Sequence, residues 1–153
     1  MGLRILYGVQ GTGNGHISRS REIIRNLKAD GHDVQVIVSG RKPGLLWEME
    51  VFEPFVALEG LTFSTQRGRL QYVRTARRLN FFRFYADIRR FDARGVDVVI
   101  TDFEPVSARI ARRHRLPSIG VGHQYAFGHR IPIAGFDPAA VYVIRNFAPA
   151  DHC

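Results

Sequence analysis

Gly11-Thr12-Gly13-Asn14-Gly15-His16 joins an apolar run, Leu3 to Val9, to a stretch with helical periodicity, Ile17 to Ala29. The run has no polar alternation, as expected of a strand buried on both faces of a parallel sheet. In the following stretch Ile17, Ile23, Ile24 and Leu27 fall near one helical face, and Gly31 sits where a left-handed C-terminal residue belongs. A strand that turns into a helix through glycines begins a β-α-β unit. In the loop the glycines are expected to take positive φ and to let a ligand approach the backbone. The free N–H groups and positive end of the helix favour an anion such as a diphosphate. His16 stands at the start of that helix, where the positive helix end opposes imidazolium and leaves a ring nitrogen to accept a proton.

The spacing excludes two familiar nucleotide loops. A dinucleotide fingerprint needs G-x-G-x-x-G or a final Ala, but Gly11 and Gly13 lead to His16, and Gly13 and Gly15 lead to Ser18. A P-loop needs Gly-Lys-Ser/Thr, and here Gly15 precedes His16. Hydride transfer through a bound dinucleotide is therefore disfavoured.

Downstream, Asp33 to Ser39 is rich in β-branched residues and continues the unit as a second strand. Arg41-Lys42-Pro43-Gly44 is a turn, with a short helix expected over Leu45 to Met49. Val56 and Leu58 suit a third, shorter strand, and Leu61 to Thr65 alternates like an edge. Gln71 to Ala93 has helical periodicity: Phe81, Phe84, Tyr85, Ile88 and Phe91 recur at three and four residues and are expected to be mostly buried, with arginines off that face. Val96 to Thr101 is a further apolar strand ended by Asp102-Phe103-Glu104-Pro105. Pro105 suits the first turn of a helix that buries Val106, Ile110 and Ala111, exposes Arg109, Arg112 and Arg113, and stops before Pro117. Ser118 to Gly122 is the next strand and delivers His123 and Gln124 to its carboxyl end. Val141 to Phe147 is a last helix or strand, and residues 150–153 look like the start of a sixth strand.

This alternation predicts an α/β fold with a Rossmann-like, doubly wound parallel sheet. The first and fourth strands are then neighbours at the switch point, where ligands bind outside the carboxyl ends, so His16 and Asp102 should converge. Asp102 can hold one imidazole nitrogen as N–H while the other takes a proton, which makes a general base with its orienter. Asp102 could equally be a helix cap beside Pro105. No serine or cysteine nucleophile is evident: Ser20 is expected to turn away from the loop, and Cys153 is remote. Such a base would activate a hydroxyl of a second substrate, or water. His123 could line the same cleft or be a structural histidine. No D-x-D or His-x-x-x-His pair suggests a metal.

The 153 residues carry 22 Lys plus Arg against 14 Asp plus Glu, a formal charge of +8. Anionic partners are therefore considered: phosphates, an anionic membrane face or nucleic acid. Nucleic acid is disfavoured because the aromatics follow the spacing of a buried stripe rather than an exposed stacking platform. A single cysteine fits a reducing compartment, and no apolar run reaches membrane-spanning length, so a cytoplasmic protein is expected, with a peripheral place at the inner membrane face as a variant.

Tyr7-Gly8-Val9-Gln10 leading into Gly11 to His16, Asp30-Gly31-His32-Asp33-Val34, Val98 to Phe103, and Leu116 to Ile119 with His123-Gln124 together resemble the N-terminal half of GT-B glycosyltransferases. The likeness covers most of the chain. It extends to UDP-glycosyltransferases, to the enzyme that adds N-acetylglucosamine to the peptidoglycan lipid precursor, and most closely to prokaryotic proteins known as glycosyltransferase-like. The resemblance implies one half of a GT-B fold over residues 1–153. The acceptor, a small molecule or lipid-linked, would sit mainly here, and the nucleotide-sugar donor mainly on a C-terminal domain outside this chain. It implies that His16 deprotonates the acceptor with support from Asp102, with inversion and no metal or other cofactor, and that Gly11, Thr12, Gly13, Asn14, Gly15, His123 and Gln124 line the substrate or phosphate site. On this expectation the chain is a fragment that does not turn over nucleotide sugars alone. Gly15-His16-Ile17-Ser18-Arg19 also resembles nucleotide-sugar hydrolases of the same fold, and a non-catalytic nucleotide- or anion-binding module is a further alternative.

Overall fold

The computed structural model describes residues 2–46, 48–61, 65–66, 69–70, 80–128 and 138–153. In chain order the elements are β1 (Arg4–Gln10), α1 (Asn14–Ala29), β2 (Asp33–Ser39), β3 (Phe55–Leu58), β4 (Thr65–Gln66), β5 (Arg69–Leu70), α2 (Phe81–Arg90), β6 (Val98–Asp102), α3 (Pro105–His114), β7 (Ser118–Gly120) and α4 (Pro138–Phe147). Five strands form one sheet in the order β3-β2-β1-β6-β7, and every pairing in it is parallel. The sequence of strands reverses at β1, which pairs β2 on one side and β6 on the other. This is the Rossmann-like doubly wound sheet, and its switch point lies between β1 and β6. β4 and β5 make a separate antiparallel pair.

The strand period of two assigns each residue to a layer. Ile5, Tyr7 and Val9 of β1 and Val34, Val36 and Val38 of β2 share one face with Ile17 and Ile24 of α1. Leu6, Ile37 and Val99 point the other way, against Phe84 and Ile88 of α2 and Val106 and Ile110 of α3. Both faces are therefore covered, which is why the central stretches of β1, β2 and β6 are mostly apolar. Asp102 belongs to the same side of β6 as Ile100, the α1 side. This alternation is what aims its carboxylate at the first helix.

Several local expectations change. The helix expected over Leu45 to Met49 is instead two 3₁₀ turns, Pro43–Leu45 and Glu50–Phe52, whose Phe52 is buried against the α1 layer. Within Gln71 to Ala93, residues 71–79 lie outside the described residues, as do 62–64 of the expected edge. The aromatic face of α2 is split: Phe84 and Ile88 are buried, but Phe81 is 48% exposed and Tyr85 51%, and Phe82 is 92% exposed. A ten-residue helix seated on α3 covers only one narrow stripe, so the flanking rings stay outside it. Arg109 is partly buried rather than exposed and donates to the Asn146 carbonyl at 2.7 Å. Val141 to Phe147 is helical, within α4. Beyond it His152 bridges Ile119 of β7 in parallel.

Candidate functional site

At the carboxyl edge of β1 and β6 the structure brings His16 and Asp102 together. Nδ1 of His16 lies 2.7 Å from Oδ1 of Asp102, across 86 residues of sequence. Asp102 is the last residue of β6 and fully buried, and the His16 side chain is 14% exposed, so the imidazole closes over the carboxylate. Nδ1 as N–H donates to Asp102, which leaves Nε2 as the acceptor on the outer side of the ring. Gln124 Nε2 stands 3.3 Å from that Nε2.

Asp102 has two further partners that the sequence did not disclose. Arg19 donates through Nη2 to Oδ1 at 2.5 Å and through Nε to Oδ2 at 3.1 Å, a two-point contact. Ser20, expected to face away, is buried and donates to Oδ2 at 2.9 Å. His16, Arg19 and Ser20 lie at i, i+3 and i+4 of α1, so one helical face presents three donors to one carboxylate. That spacing was the available signal; it gains meaning only once Asp102 is known to face α1. Arg19 already answers the negative charge of Asp102. The carboxylate therefore acts on His16 chiefly by fixing its tautomer and ring plane. Tyr7 lies on the same face; burial pushes its phenol up to about 12, which keeps the hydroxyl neutral.

The loop glycines do not take the positive φ expected of them. None of Gly11, Gly13 and Gly15 has positive φ. They provide room. A Cβ at Gly11 would stand 3.0 Å from the Ser39 carbonyl, and one at Gly13 would stand 3.1 Å from Cδ2 of His16. Gly13, at φ −122° and ψ 133°, caps α1, and its carbonyl accepts the His16 N–H at 3.2 Å. Gly15 faces open space. Gly11 N–H donates to Ser39 O at 2.7 Å, tying the loop to β2. Thr12 Oγ1 accepts from Gln10, and Asn14 Oδ1 accepts from Arg41 at 3.1 Å. On the far side Gly122 does need its freedom: its φ is +136°, and a Cβ there would meet Gln124 Oε1 at 2.8 Å and Arg19 Nη2 at 3.2 Å. His123 is exposed at the start of the 3₁₀ turn His123–Gly128, without a hydrogen bond to the His16 cluster among the described residues.

The helix cap next to Pro105 is Glu104, not Asp102. The Glu104 carboxylate accepts from Val106 N at 2.8 Å, from Ser107 N at 2.6 Å and from Ser39 Oγ at 2.6 Å. Thr101 Oγ1 accepts the Glu104 N–H at 2.9 Å. Between the two acids, Phe103 takes a left-handed φ of 54°, which turns the chain sharply enough for Asp102 to face α1 while Glu104 caps α3. Its ring is held in an apolar cluster with Phe147 and Tyr125, at 5.1 and 5.8 Å between ring centres. Glu104 is fully buried, and desolvation pushes its carboxyl up despite the three donors. Among the described residues no group of three His, Cys, Asp or Glu side chains could hold a metal ion, and no helix is long and apolar enough to cross a membrane.

Sheet order and edge cluster define a Rossmann-like α/β domain with its polar centre at the switch point. Residues 3–131 match the model of glycosyl transferase family 1, and the chain belongs to that family. Among solved structures it is similar to a UGT transferase from Siraitia grosvenorii in complex with UDP, at 17% identity and TM-score 0.45, over 78% of this chain and 28% of that one. It is also similar to a Phytolacca americana UGT complexed with UDP-2fluoro-glucose and pterostilbene, at 15% identity and TM-score 0.46, over 83% of this chain and 32% of that one. The chain thus spans less than a third of either structure. No curated protein matches it.

Proposed function

We propose that this chain is the acceptor-side domain of an inverting glycosyltransferase and that His16 is its general base. The observation that carries the reading is the 2.7 Å contact between His16 Nδ1 and the buried Asp102, which leaves Nε2 outermost at the sheet edge. An acceptor hydroxyl placed beside Gln124 gives its proton to Nε2 as its oxygen bonds to the anomeric carbon of the donor sugar. The bond from that carbon to the diphosphate breaks, and its electron pair leaves with the nucleotide. Asp102, gripped by Arg19 and Ser20, holds the tautomer and the ring plane. Loop glycines 11–15 bring backbone and helix N-terminus close to the donor phosphates. A second domain, outside this chain, carries most of the donor contacts, so turnover needs both.

The aromatic rings exposed on α2, Phe81, Phe82 and Tyr85, stand with Arg83, Arg89 and Arg90 on the same short helix and support a peripheral contact with anionic lipid. The test of the base is a longer polypeptide that contains both domains, assayed with UDP-, GDP- and TDP-sugars. H16N should lower transfer by roughly 10²- to 10⁴-fold with the fold retained. An undiminished rate would remove His16 from the reaction, and release of free sugar instead of a glycoside would identify a hydrolase.

A further inference from the structure

A second cleft opens beside the glycine loop, at the carboxyl ends of β2 and β3, with a volume of about 350 Å³. Its walls are Arg41 and Lys42 from the turn after β2, Leu58 and Glu59 at the end of β3, and Arg83 from the first turn of α2. Three cations and one carboxylate line the cleft, and Arg83 Nη1 is 3.5 Å from Glu59 Oε1, an exposed pair that an incoming anion can open. Lys42 is exposed and enters no ion pair among the described residues. Arg41 is fixed differently. Its Nη2 donates to Thr12 O at 3.4 Å and to Asn14 Oδ1 at 3.1 Å, so this cation is tethered to the loop that leads to His16.

We propose that this cleft binds a phosphate group carried by the acceptor, with Lys42 and Arg83 as its charged ligands and Arg41 as the tether that keeps the cleft in register with His16. The inference rests on the acceptor-side reading above. A doubly wound sheet binds ligands outside the carboxyl ends of its strands, and the β2-β3 end lies one strand away from the end of β1, whose following loop leads to the base on α1. A dianionic phosphate suits a cleft lined by two such cations better than a single carboxylate does. Ala57 and Leu58 supply an apolar floor for the adjoining part of the acceptor.

Calorimetric titration of this chain with inorganic phosphate and with glucose 1-phosphate tests the site without any transfer reaction. K42Q and R83Q should each weaken binding about 3- to 10-fold, whereas E59Q, which removes the competing carboxylate, should tighten it about 2- to 5-fold. R113Q, on the exposed face of α3, should leave it unchanged. Loss of affinity in R113Q equal to that in K42Q would show a general charge effect and overturn the proposal, as would full binding in the K42Q/R83Q double variant. Sedimentation with phosphatidylcholine vesicles, with and without phosphatidylglycerol, separates the sources. Lipid binding sensitive to K42Q assigns a lipid-borne phosphate, and binding of the soluble esters alone assigns a soluble acceptor. Failure of the base reading appears instead in the H16N transfer rate, so the two results are independent.

Discussion

Arg19 grips Asp102 at two points, Nη2 to Oδ1 at 2.5 Å and Nε to Oδ2 at 3.1 Å, and thereby makes the acid beneath His16 a fixed part of the fold. A lysine cannot reproduce that fork. Because the Arg19 side chain is 33% exposed, solvent screening keeps its stabilisation modest, and R19K should cost about 1 kcal/mol. Urea unfolding measures this; an unchanged midpoint would show that Asp102 is held without the fork.

D102N should cost more, about 2–3 kcal/mol, since the buried oxygen that serves both His16 and Arg19 loses its charge and one position becomes a donor facing donors. The His16 Hδ1 resonance in proton NMR should move upfield or vanish at the same time. Persistence of that resonance in D102N would mean that the ring is oriented by another group.

Gly13 and Gly15 should respond in opposite directions to alanine. At Gly13 the new methyl would press on the His16 ring, displacing it and lowering transfer while leaving the helix intact. At Gly15, inside α1 and facing open space, alanine should raise stability by about 0.5–1 kcal/mol. The transfer rate of G13A in the two-domain polypeptide and the thermal unfolding of G15A check the pair, and destabilisation by G15A would contradict the open geometry.

Glu104 links stability to pH. Burial raises its folded pKa above that of the unfolded chain, so its contribution is fully present below the unfolded value, about 4.3, and is lost as pH rises through the folded value. Ser39 can turn its hydroxyl to accept from the protonated acid. E104Q removes the titration. As pH rises above the unfolded value the wild-type chain should lose stability relative to E104Q, and parallel stability curves would refute the linkage. E104A strands three donors and should cost about 2–4 kcal/mol.

Among the described residues the buried Tyr7 hydroxyl has no hydrogen-bond partner of good geometry, and the neighbouring Ser20 gives its proton to Asp102. Y7F should therefore be neutral or stabilising, by up to about 1 kcal/mol, and should remove a loss of stability that sets in as pH rises from 10 towards 12. A clear fall in the unfolding midpoint near neutral pH would reveal a hidden partner for the phenol.

The order of strands and helices was legible in the sequence because its signals are local. Apolar runs mark β1 and β6, Pro105 opens α3, and Gly31 ends α1 with φ +83°. Even the meeting of His16 with Asp102 followed from strand order alone, since the switch point fixes which strand ends are neighbours. Tertiary structure decided what those ends touch. Arg19 and Ser20 lie 83 and 82 residues from Asp102, and their helical spacing says nothing until β6 turns its acid towards α1. Glu104 became the cap, and not Asp102, because Phe103 bends the chain between them into a left-handed turn stabilised by rings from distant segments. The loop glycines were recognisable as important, but their reason was not. Positive φ is a local property, whereas the closeness of Ser39 to Gly11 and of the His16 ring to Gly13 exists only when strand, loop and helix have packed.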